Sequence, residues 1–306
     1  MTAALMLVVP AILTQTTTAQ NRGGAGAAPR ASDTDTRPYD RRDFSGLWSH
    51  GPQTYGLPAC PECNAESPIP VPGYGFFGDV PPRTPAGEQT LLMRKHGRGF
   101  EPDDPRLAKY PNLDLAYRRA VLPTFGNDPE ARCEPLGLPR LLAIRGGGST
   151  MEMVHTRAND RIIQRFEWFW DNREIWVDGR ALPNVEDYLP RYMGYSVGRW
   201  EGNTLVVTST GFDDRQWLDM FGFPISEKAV LVERWERPSP NRLRLQMTLT
   251  DPVNYTRPWP AAFQVWALIP KDRMSIGGWS GILEDRCVPS DEALFNTFRD
   301  HAAGVK

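Results

Sequence analysis

Residues 195–217 read YSVGRWEGNTLVVTSTGFDDRQW and indicate most directly how this chain folds. Two apolar-rich runs flank Gly202-Asn203, a pair that tolerates the positive φ angles of a tight two-residue hairpin turn. A turn at this pair places Trp200 opposite Leu205 on the neighbouring strand. The stretch therefore predicts a β-hairpin, and its second strand leads directly into a charged tail.

Further strands are predicted on both sides of the hairpin. A first strand is expected at 43–48, a three-stranded meander at 151–178, a strand with strict alternation at 243–250 and another at 263–269. About ten strands joined mostly by short turns, without alternating helices, predict an all-β fold. We expect an antiparallel meander closed into a barrel or a strongly curved sheet, with a short C-terminal helix that begins at Ser290.

Composition limits the class of protein and of partner. The chain has 306 residues, of which 40% are hydrophobic and 24% charged, so it can bury the core of one large domain over 43–306. Within that domain, residues 43–135 are rich in Pro and Gly and predict a loop-rich arm. A net charge of −2 and interleaved charges argue against nucleic acid as a partner.

The N-terminus has features of an export signal. Residues 3–13 form an apolar stretch that is too short to span a bilayer, and Thr17-Thr18-Ala19 supplies small residues for cleavage after Ala19. No basic residue precedes the apolar stretch. We expect a signal peptide at 1–19, a disordered leader at 20–42, no membrane span, and a periplasmic or secreted mature protein.

The four cysteines are interpreted in the light of that export. In an oxidising compartment Cys60, Cys63, Cys133 and Cys287 allow three disulfide connectivities. Cys60 and Cys63 can close on each other and leave Cys133 to pair with Cys287, which would tie the start of the β-rich region to its end. A zinc site made of all four is the alternative, although a second CxxC motif is missing.

The predicted meander places charged and aromatic side chains on one of its faces. With turns at 159–160 and 171–172, Glu152 lies opposite Glu167, and Glu167 lies opposite Trp176. Arg165 then lies opposite Asp178. The other face is apolar and is predicted to form the core: Met151, Met153, His155, Phe166, Trp168, Ile175 and Val177, with Gln164 across from His155.

The charged face of the meander has two interpretations. Two opposed carboxylates repel each other, so one is expected to retain its proton and form an acid–base pair with the other. Arg165 and Arg180 would then orient a polar ligand or stabilise negative charge, while Trp176 and Phe169 offer stacking surfaces. Alternatively, the face is solvated and its charges only keep the sheet soluble.

The tail of the hairpin is a second candidate cluster. Asp213, Asp214 and Asp219 lie on either side of Trp217 in the sequence. Their carboxylates are expected to act as a base or a ligand-binding group at the barrel mouth. Alternatively, they cap a turn, or they hold a hard cation, although EF-hand spacing is missing. One antiparallel strand between the segments would bring Asp178 and Asp213 to the same barrel end. Two further residues are expected on a rim loop that faces a ligand: Arg257 and Trp259.

Several phrases of the chain resemble an uncharacterised family of exported bacterial proteins: DFSGLW, GNDPEARCEPLGLPR, FEWFWDNREIWVDGR, GYSVGRWEGNTLVV and DPVNYTRPW. The family has no established activity, so the resemblance implies export and little about chemistry. Where members often read Pro-His-Ser, this chain has Pro224-Ile225-Ser226. The Gly46-Leu47-Trp48 triplet also resembles the G-x-W first-strand signature of lipocalin-like barrels.

These observations predict an exported, lipocalin-like barrel that binds a small apolar or aromatic molecule in an aromatic-lined pocket. The alternative is a cofactor-independent hydrolase, lyase or isomerase on the same scaffold, with Asp178, Asp213, Asp214 or the Glu152–Glu167 pair as acid and base. A third possibility is a structural module of the cell envelope. No phosphate-binding loop, dinucleotide fingerprint or zinc-binding helix motif is present, so neither a cofactor nor a metal is predicted.

Overall fold

The predicted strands form a closed barrel in the computed structural model of the chain, which describes residues 36–50, 75–122, 125–143, 150–168 and 171–269 together with 282, 286–289, 293 and 297. The predicted signal peptide, most of the leader, Cys60, Cys63 and Phe169 lie outside these described residues. Of the predicted C-terminal helix, two residues are described and both are helical, Ala293 and Thr297.

Ten strands are arranged in one sheet in the described part of the chain. Their bounds are β1 (Gly46–Ser49), β2 (Thr150–His155), β3 (Arg161–Phe166), β4 (Asn172–Trp176), β5 (Tyr195–Glu201), β6 (Thr204–Thr210), β7 (Val230–Ser239), β8 (Arg242–Thr250), β9 (Trp259–Pro260) and β10 (Gln264–Leu268).

Nine of these strands close into a ring. β1 to β8 follow one another around the sheet, and β10 pairs with both β8 and β1, while β9 adds to one end of β8. Every pair in the ring is antiparallel except β4 with β5, which are parallel. A ring of alternating strand directions needs an even number of strands. With nine, one neighbouring pair must run parallel.

Helices are few and short. The helix α1 (Pro85–Met93) has Thr84 as its N-cap, because the Thr84 hydroxyl accepts a hydrogen bond of 3.1 Å from the backbone N–H of Gly87. The helix α2 spans Arg140–Ala143. Short 3₁₀ turns lie at Pro105–Lys109, Leu115–Arg118, Pro129–Arg132 and Val185–Asp187. None of the described helices is long and apolar enough to cross a bilayer.

The hairpin of β5 and β6 is confirmed. Gly202 and Asn203 form its turn, Gly202 has a φ angle of 60°, and Trp200 lies opposite Leu205. Gly202 is favoured at this position because its missing Cβ removes the steric penalty for positive φ. Turn chemistry is local, so it sets the register of the two strands without help from the rest of the chain.

The register of β2 with β3 differs from the predicted one. Glu152 lies opposite Arg165 rather than Glu167, and Gln164 lies opposite Met153 rather than His155. The predicted two-residue turn is wrong, because residues 156–160 form a longer connection, which a hydrogen bond of 3.0 Å from the Thr156 N–H to the Arg161 carbonyl closes. The shift is an even number of residues, so the two faces keep their predicted character.

The register of β3 with β4 also differs. Trp176 lies opposite Arg161 rather than Glu167. The predicted turn at 171–172 is wrong, since β3 ends at Phe166 and β4 begins at Asn172. The inner face still holds the expected apolar side chains, with Met151, Phe166 and Ile175 all buried.

Side chains fill the barrel interior. Trp48 and Trp235 are fully buried, Trp266 is nearly so, and the leucines and the methionine of β8 belong to the same buried cluster. Residues 75–122 and 125–143 cover the barrel end where β5 begins. There, the backbone carbonyl of Phe77 accepts a hydrogen bond of 2.7 Å from the indole of Trp259, which follows β8. The core therefore extends from the interior into this covering arm.

The disulfide between Cys133 and Cys287 is confirmed. The two Cα atoms lie 5.3 Å apart, within the range of roughly 4.4–6.8 Å that a disulfide requires. The bond links the covering arm to the segment that follows β10. It is consistent with folding in an oxidising compartment.

Candidate functional site

The seam between β4 and β5 is a narrow join in the barrel wall, and it is where two neighbouring strands run parallel. Only Ile175 with Ser196 and Trp176 with Val197 are paired across it. By contrast, β5 and β6 are paired along their whole length, from Tyr195 and Thr210 to the turn. A parallel connection also requires the chain to return along the outside of the sheet. Here the return is the crossover segment, residues 177–194.

The seam opens because the end of the crossover segment pairs elsewhere. The Arg191 N–H donates a hydrogen bond of 2.9 Å to the carbonyl of Gly211, and the Asp213 N–H donates one of 3.1 Å to the carbonyl of Arg191. The chain just before β5 therefore follows the end of β6 rather than the start of β4. A gap remains between β4 and residues 191–194.

This gap is a cavity of about 610 Å³, which we call the seam pocket. Its walls come from the outer face of β4 and β5, from the crossover segment and from Pro135 of the covering arm. Its volume lies within the range of roughly 300–1,000 Å³ that is typical of small-molecule sites. Its lining includes a carboxyl, two arginines and several aromatic rings: Asp171, Arg180, Arg191, Trp176, Tyr188, Tyr192 and Tyr195.

Trp176 forms one aromatic wall of the seam pocket. Because Arg173 and Ile175 point into the barrel, the alternation of β4 directs Trp176 outward. The guanidinium of Arg180 lies 3.5 Å from the centroid of its ring, and that of Arg161 lies 5.0 Å from it. These two cation–π contacts hold the indole in one orientation at the surface.

Tyrosines form the other aromatic wall. The rings of Tyr188 and Tyr195 lie 5.3 Å apart, and the guanidinium of Arg191 lies 4.6 Å from the Tyr195 ring. The hydroxyl of Tyr195 donates a hydrogen bond of 3.0 Å to the carbonyl of Leu189, which fixes the ring against the crossover segment. Tyr192 hydrogen bonds Glu134 at 3.0 Å, and burial raises the pKa of Tyr192 to about 12.

A buried ion pair lies directly behind the seam. Arg173 and Glu233 are both almost fully buried and face each other with an N–O distance of 2.6 Å. Arg173 also donates to the hydroxyls of Ser196, on the other side of the seam, and Ser209, at 2.9 and 2.7 Å. Glu233 accepts a further hydrogen bond of 2.9 Å from the indole of Trp235. This network links β4, β5, β6 and β7 inside the barrel.

Asp171 is the titratable carboxyl of the seam pocket with the largest perturbation. It lies at the start of β4, and burial raises its pKa to about 6. Its Oδ2 atom is enclosed by protein and accepts no hydrogen bond from the residues that the structure describes. A carboxyl with this pKa exchanges its proton near neutral pH, as a general acid or base does.

Of the residues that the sequence indicated for ligand binding, Trp176 and Arg180 line the seam pocket and the others lie elsewhere. Arg165 lies on the outer face of β3, in an ion pair of 2.8 Å with Glu152. Arg257 forms an ion pair of 2.8 Å with Asp79, and Trp259 is fully buried among the rings of the core.

Asp178 and Asp213 lie at opposite ends of the barrel. Asp178 follows β4, which is parallel to β5, so it lies at the end where β5 finishes. Asp213 follows β6, which is antiparallel to β5, so it lies at the end where β5 begins. The expectation of one shared site is wrong, because it assumed that β4 and β5 are antiparallel. Arg165, the predicted partner of Asp178, pairs with Asn172 instead.

Each of these two carboxylates is bound by the arginine two residues further along. Asp178 and Arg180 lie 2.7 Å apart, and Asp213 and Arg215 lie 2.6 Å apart. The hydrogen bonds from the guanidinium groups lower the pKa of both aspartates. Asp178 and Asp213 are therefore ionised and paired, which makes them poor bases.

The remaining predicted catalytic residues are also separate from each other. Glu167 is buried in the loop after β3 and its N–H donates to the carbonyl of Thr150, whereas Glu152 is on the outer face. Asp214 is exposed, and its carbonyl accepts a hydrogen bond of 3.0 Å from Arg94. Trp217 is buried with the guanidinium of Arg94 at 5.7 Å from its ring.

Asp219 has a structural role. It is fully buried, and its two carboxylate oxygens accept hydrogen bonds from the backbone of Phe76 at 3.1 Å and of Phe221 at 2.9 Å. Burial raises its pKa to about 6. The carboxylate therefore holds the covering arm against the loop after β6, rather than a cation.

Sequence reasoning missed the tyrosines and Arg191 of the seam pocket, and it missed the buried ion pair. The run Asp187 to Tyr195 reads DYLPRYMGY, and this clustering of tyrosines around an arginine was a signal. For the ion pair, the signal was period-two alternation. It places Arg173 on the same face as Ile175 in β4, and Glu233 on the same face as Leu231 and Trp235 in β7.

The chain was compared with protein-family models, curated proteins and solved structures. No family model, no curated protein and no solved structure matches it. The function is therefore argued from the geometry of the seam pocket.

Proposed function

We propose that this chain is an exported protein that binds a small aromatic molecule in the seam pocket. The single observation that carries the proposal is a cavity of about 610 Å³ with Trp176 on one side and the Tyr188–Tyr195 pair on the other. Aromatic walls with a few placed polar groups are typical of small-molecule sites.

The seam pocket is a better ligand site than the barrel lumen. Trp48, Trp235 and Trp266 fill the lumen, and the buried Arg173–Glu233 ion pair occupies a further part of it. A ligand in the lumen would have to displace packed side chains, whereas one in the seam pocket enters space that already exists. The proposal keeps the ligand class expected from the sequence and moves its site to the outer wall.

Export and the family resemblance are part of the proposal. The apolar segment at 3–13 and the Cys133–Cys287 disulfide support export to an oxidising compartment. We further propose membership of the exported bacterial family and a relation to lipocalin-like barrels, on the quoted motifs alone.

Nuclear magnetic resonance of the tryptophan indole groups tests the proposed site. Naphthalene-2-sulfonate, a two-ring aromatic probe, is titrated into ¹⁵N-labelled mature protein, and Trp176→Phe assigns the resonance of Trp176. We expect the indole signal of Trp176 to shift with saturation while those of Trp235 and Trp266 stay in place. A shift confined to the lumen tryptophans, or no shift at all, would contradict the proposal.

A second candidate function is catalysis without a cofactor at the same pocket, as a hydrolase, lyase or isomerase. The observation that favours it is Asp171, since its raised pKa of about 6 suits proton transfer near neutral pH. Turnover of any substrate should then be abolished by Asp171→Asn with the thermal midpoint preserved. Retention of turnover in that variant would exclude Asp171 as the acid or base.

A further inference from the structure

We infer that the ligand of the seam pocket is a planar aromatic molecule with one anionic group, and that Arg191 binds this group. The inference rests on the proposed function and specifies the chemical class of its ligand. Three observations carry it: the charge balance of the pocket, the position of Arg191, and the spacing of the aromatic walls.

The charge balance singles out Arg191. Two other arginines line the seam pocket, and each has a carboxylate partner: Arg173 with Glu233 at 2.6 Å, and Arg180 with Asp178 at 2.7 Å. Arg191 forms no ion pair with any residue that the structure describes. The guanidinium group is always charged at physiological pH, so Arg191 brings an uncompensated positive charge to the pocket.

Arg191 is held in place for binding. Its backbone N–H donates a hydrogen bond of 2.9 Å to the carbonyl of Gly211. Its backbone carbonyl accepts hydrogen bonds of 3.0 and 3.1 Å from the N–H groups of Gly194 and Asp213. The guanidinium lies over the ring of Tyr195 at 4.6 Å from the centroid. Stacking covers one face of the guanidinium. The N–H edge then remains available to bind a carboxylate, sulfonate or phosphate through two parallel hydrogen bonds.

The two acidic side chains that line the pocket do not satisfy Arg191. Glu174 is paired with Arg161 at 2.6 Å. Asp171 has its Oδ2 enclosed by protein, and it forms no ion pair with Arg191. An incoming anion therefore meets a free cation rather than displacing an existing partner.

The spacing of the walls limits the size of the ligand. Tyr195 lies two residues before Val197, which is paired with Trp176, and both residues point outward from β5. Two residues along a strand correspond to about 7 Å. A molecule with its anion at Arg191 and its rings reaching Trp176 is therefore about two fused rings long.

A pair of matched probes tests the inference. Naphthalene-2-sulfonate and naphthalene-2-sulfonamide have nearly the same shape, but only the first is charged at neutral pH. We expect the sulfonate to bind at least about tenfold more tightly, measured by the shift of the Trp176 indole signal or by calorimetry at low salt. In Arg191→Gln the preference should disappear, while the sulfonamide should keep its affinity. Arg191→Lys should retain part of the preference, because its charge remains.

The matched control is Arg199→Gln. Arg199 lies on the same outer face of β5 and pairs with Glu201 at 2.9 Å, outside the seam pocket, so its loss should leave both affinities unchanged. Equal binding of the two probes to the native protein, or a preference that survives in Arg191→Gln, would overturn the inference and leave the pocket itself intact. If neither probe shifts the Trp176 signal, the proposed function fails as well.

Discussion

The wall of β5 to β8 and the seam between β4 and β5 belong to one barrel but are joined in different ways. In the wall, β7 pairs with β8 from Val230 and Thr250 to Ser239 and Arg242, and backbone hydrogen bonds hold the strands together. At the seam, two residue pairs are present and Arg173 donates across the gap to Ser196 from inside. Side chains therefore replace backbone pairing where the chain needs an opening.

This difference separates stability from binding. Substitutions in the interior or in the wall should alter the free energy of unfolding, whereas substitutions on the outer side of the seam should alter affinity alone. Each prediction below tests that separation.

The largest effect is expected inside the seam, at Arg173. Arg173→Met leaves Glu233 buried without its partner, so the free energy of unfolding should fall by about 3–5 kcal/mol. Urea denaturation followed by circular dichroism measures the loss. The control is Arg161→Met, because Arg161 pairs with Glu174 at the surface and should contribute less than about 1 kcal/mol. Similar losses in both variants would show that the interior network does not hold the seam.

A smaller loss is expected in the wall, at Trp200. Its ring is half-buried, packs against Phe44 at 5.3 Å between centroids and faces Leu205 across the hairpin. Trp200→Ala should reduce the free energy of unfolding by about 2–3 kcal/mol, below the value for a fully buried tryptophan. The affinity for naphthalene-2-sulfonate should not change, because Trp200 points inward. If Trp200→Ala weakened the binding of naphthalene-2-sulfonate as much as Trp176→Ala does, stability and binding would not be separate properties of the two regions.

The free energy of unfolding should depend on pH because the carboxyl of Asp171 titrates. Its pKa of about 6 in the folded chain exceeds the value of about 3.9 expected when the chain is unfolded. The stability associated with its proton is therefore fully present below about pH 4 and is lost as the pH rises through about 6. Asp171→Asn removes this dependence and should stabilise the protein by about 1–2 kcal/mol at pH 8, with little change at pH 4.

Urea denaturation of both proteins at pH 4, 6 and 8 measures this effect. The matched control is Asp103→Asn, since Asp103 is exposed on the covering arm. A stabilisation by Asp171→Asn that is the same at all three values would mean that the proton of Asp171 is not its cause.

The smallest effect is expected from Asp178→Asn. This change removes the partner of Arg180, which lines the seam pocket, and so adds a second uncompensated cation beside a bound anion. The affinity for naphthalene-2-sulfonate should rise roughly two- to fivefold at low salt, with the thermal midpoint unchanged. Asp213→Asn frees Arg215 at the other barrel end and should leave the affinity as it was. Equal increases in both variants would indicate a general charge effect.

The comparison also explains what could be predicted from the sequence. The β5–β6 hairpin was predictable because the Gly202-Asn203 turn sets its register locally. The inner face of the meander was predictable because period two survives an even shift in register. The disulfide was predictable because the CxxC spacing left Cys133 and Cys287 as the natural pair.

The parallel seam could not be predicted from the local sequence. The parallel pairing of β4 with β5 depends on how nine strands close into a ring, and no residue of the crossover segment encodes that closure by itself. The register of β3 with β4 was mispredicted because Asp171-Asn172 resembles a turn, whereas Asn172 belongs to β4. The seam pocket was missed because its walls come from separate segments that meet only after closure.

The Cys133–Cys287 bond turns the barrel into part of a covalent ring. The two cysteines are 154 residues apart in sequence, and β2 to β10 all lie between them. A protease that cuts once in the crossover segment would leave the two pieces joined, so the clipped protein should migrate as one species on a non-reducing gel and separate on reduction. A nick beside the seam pocket would therefore break the polypeptide without releasing either piece.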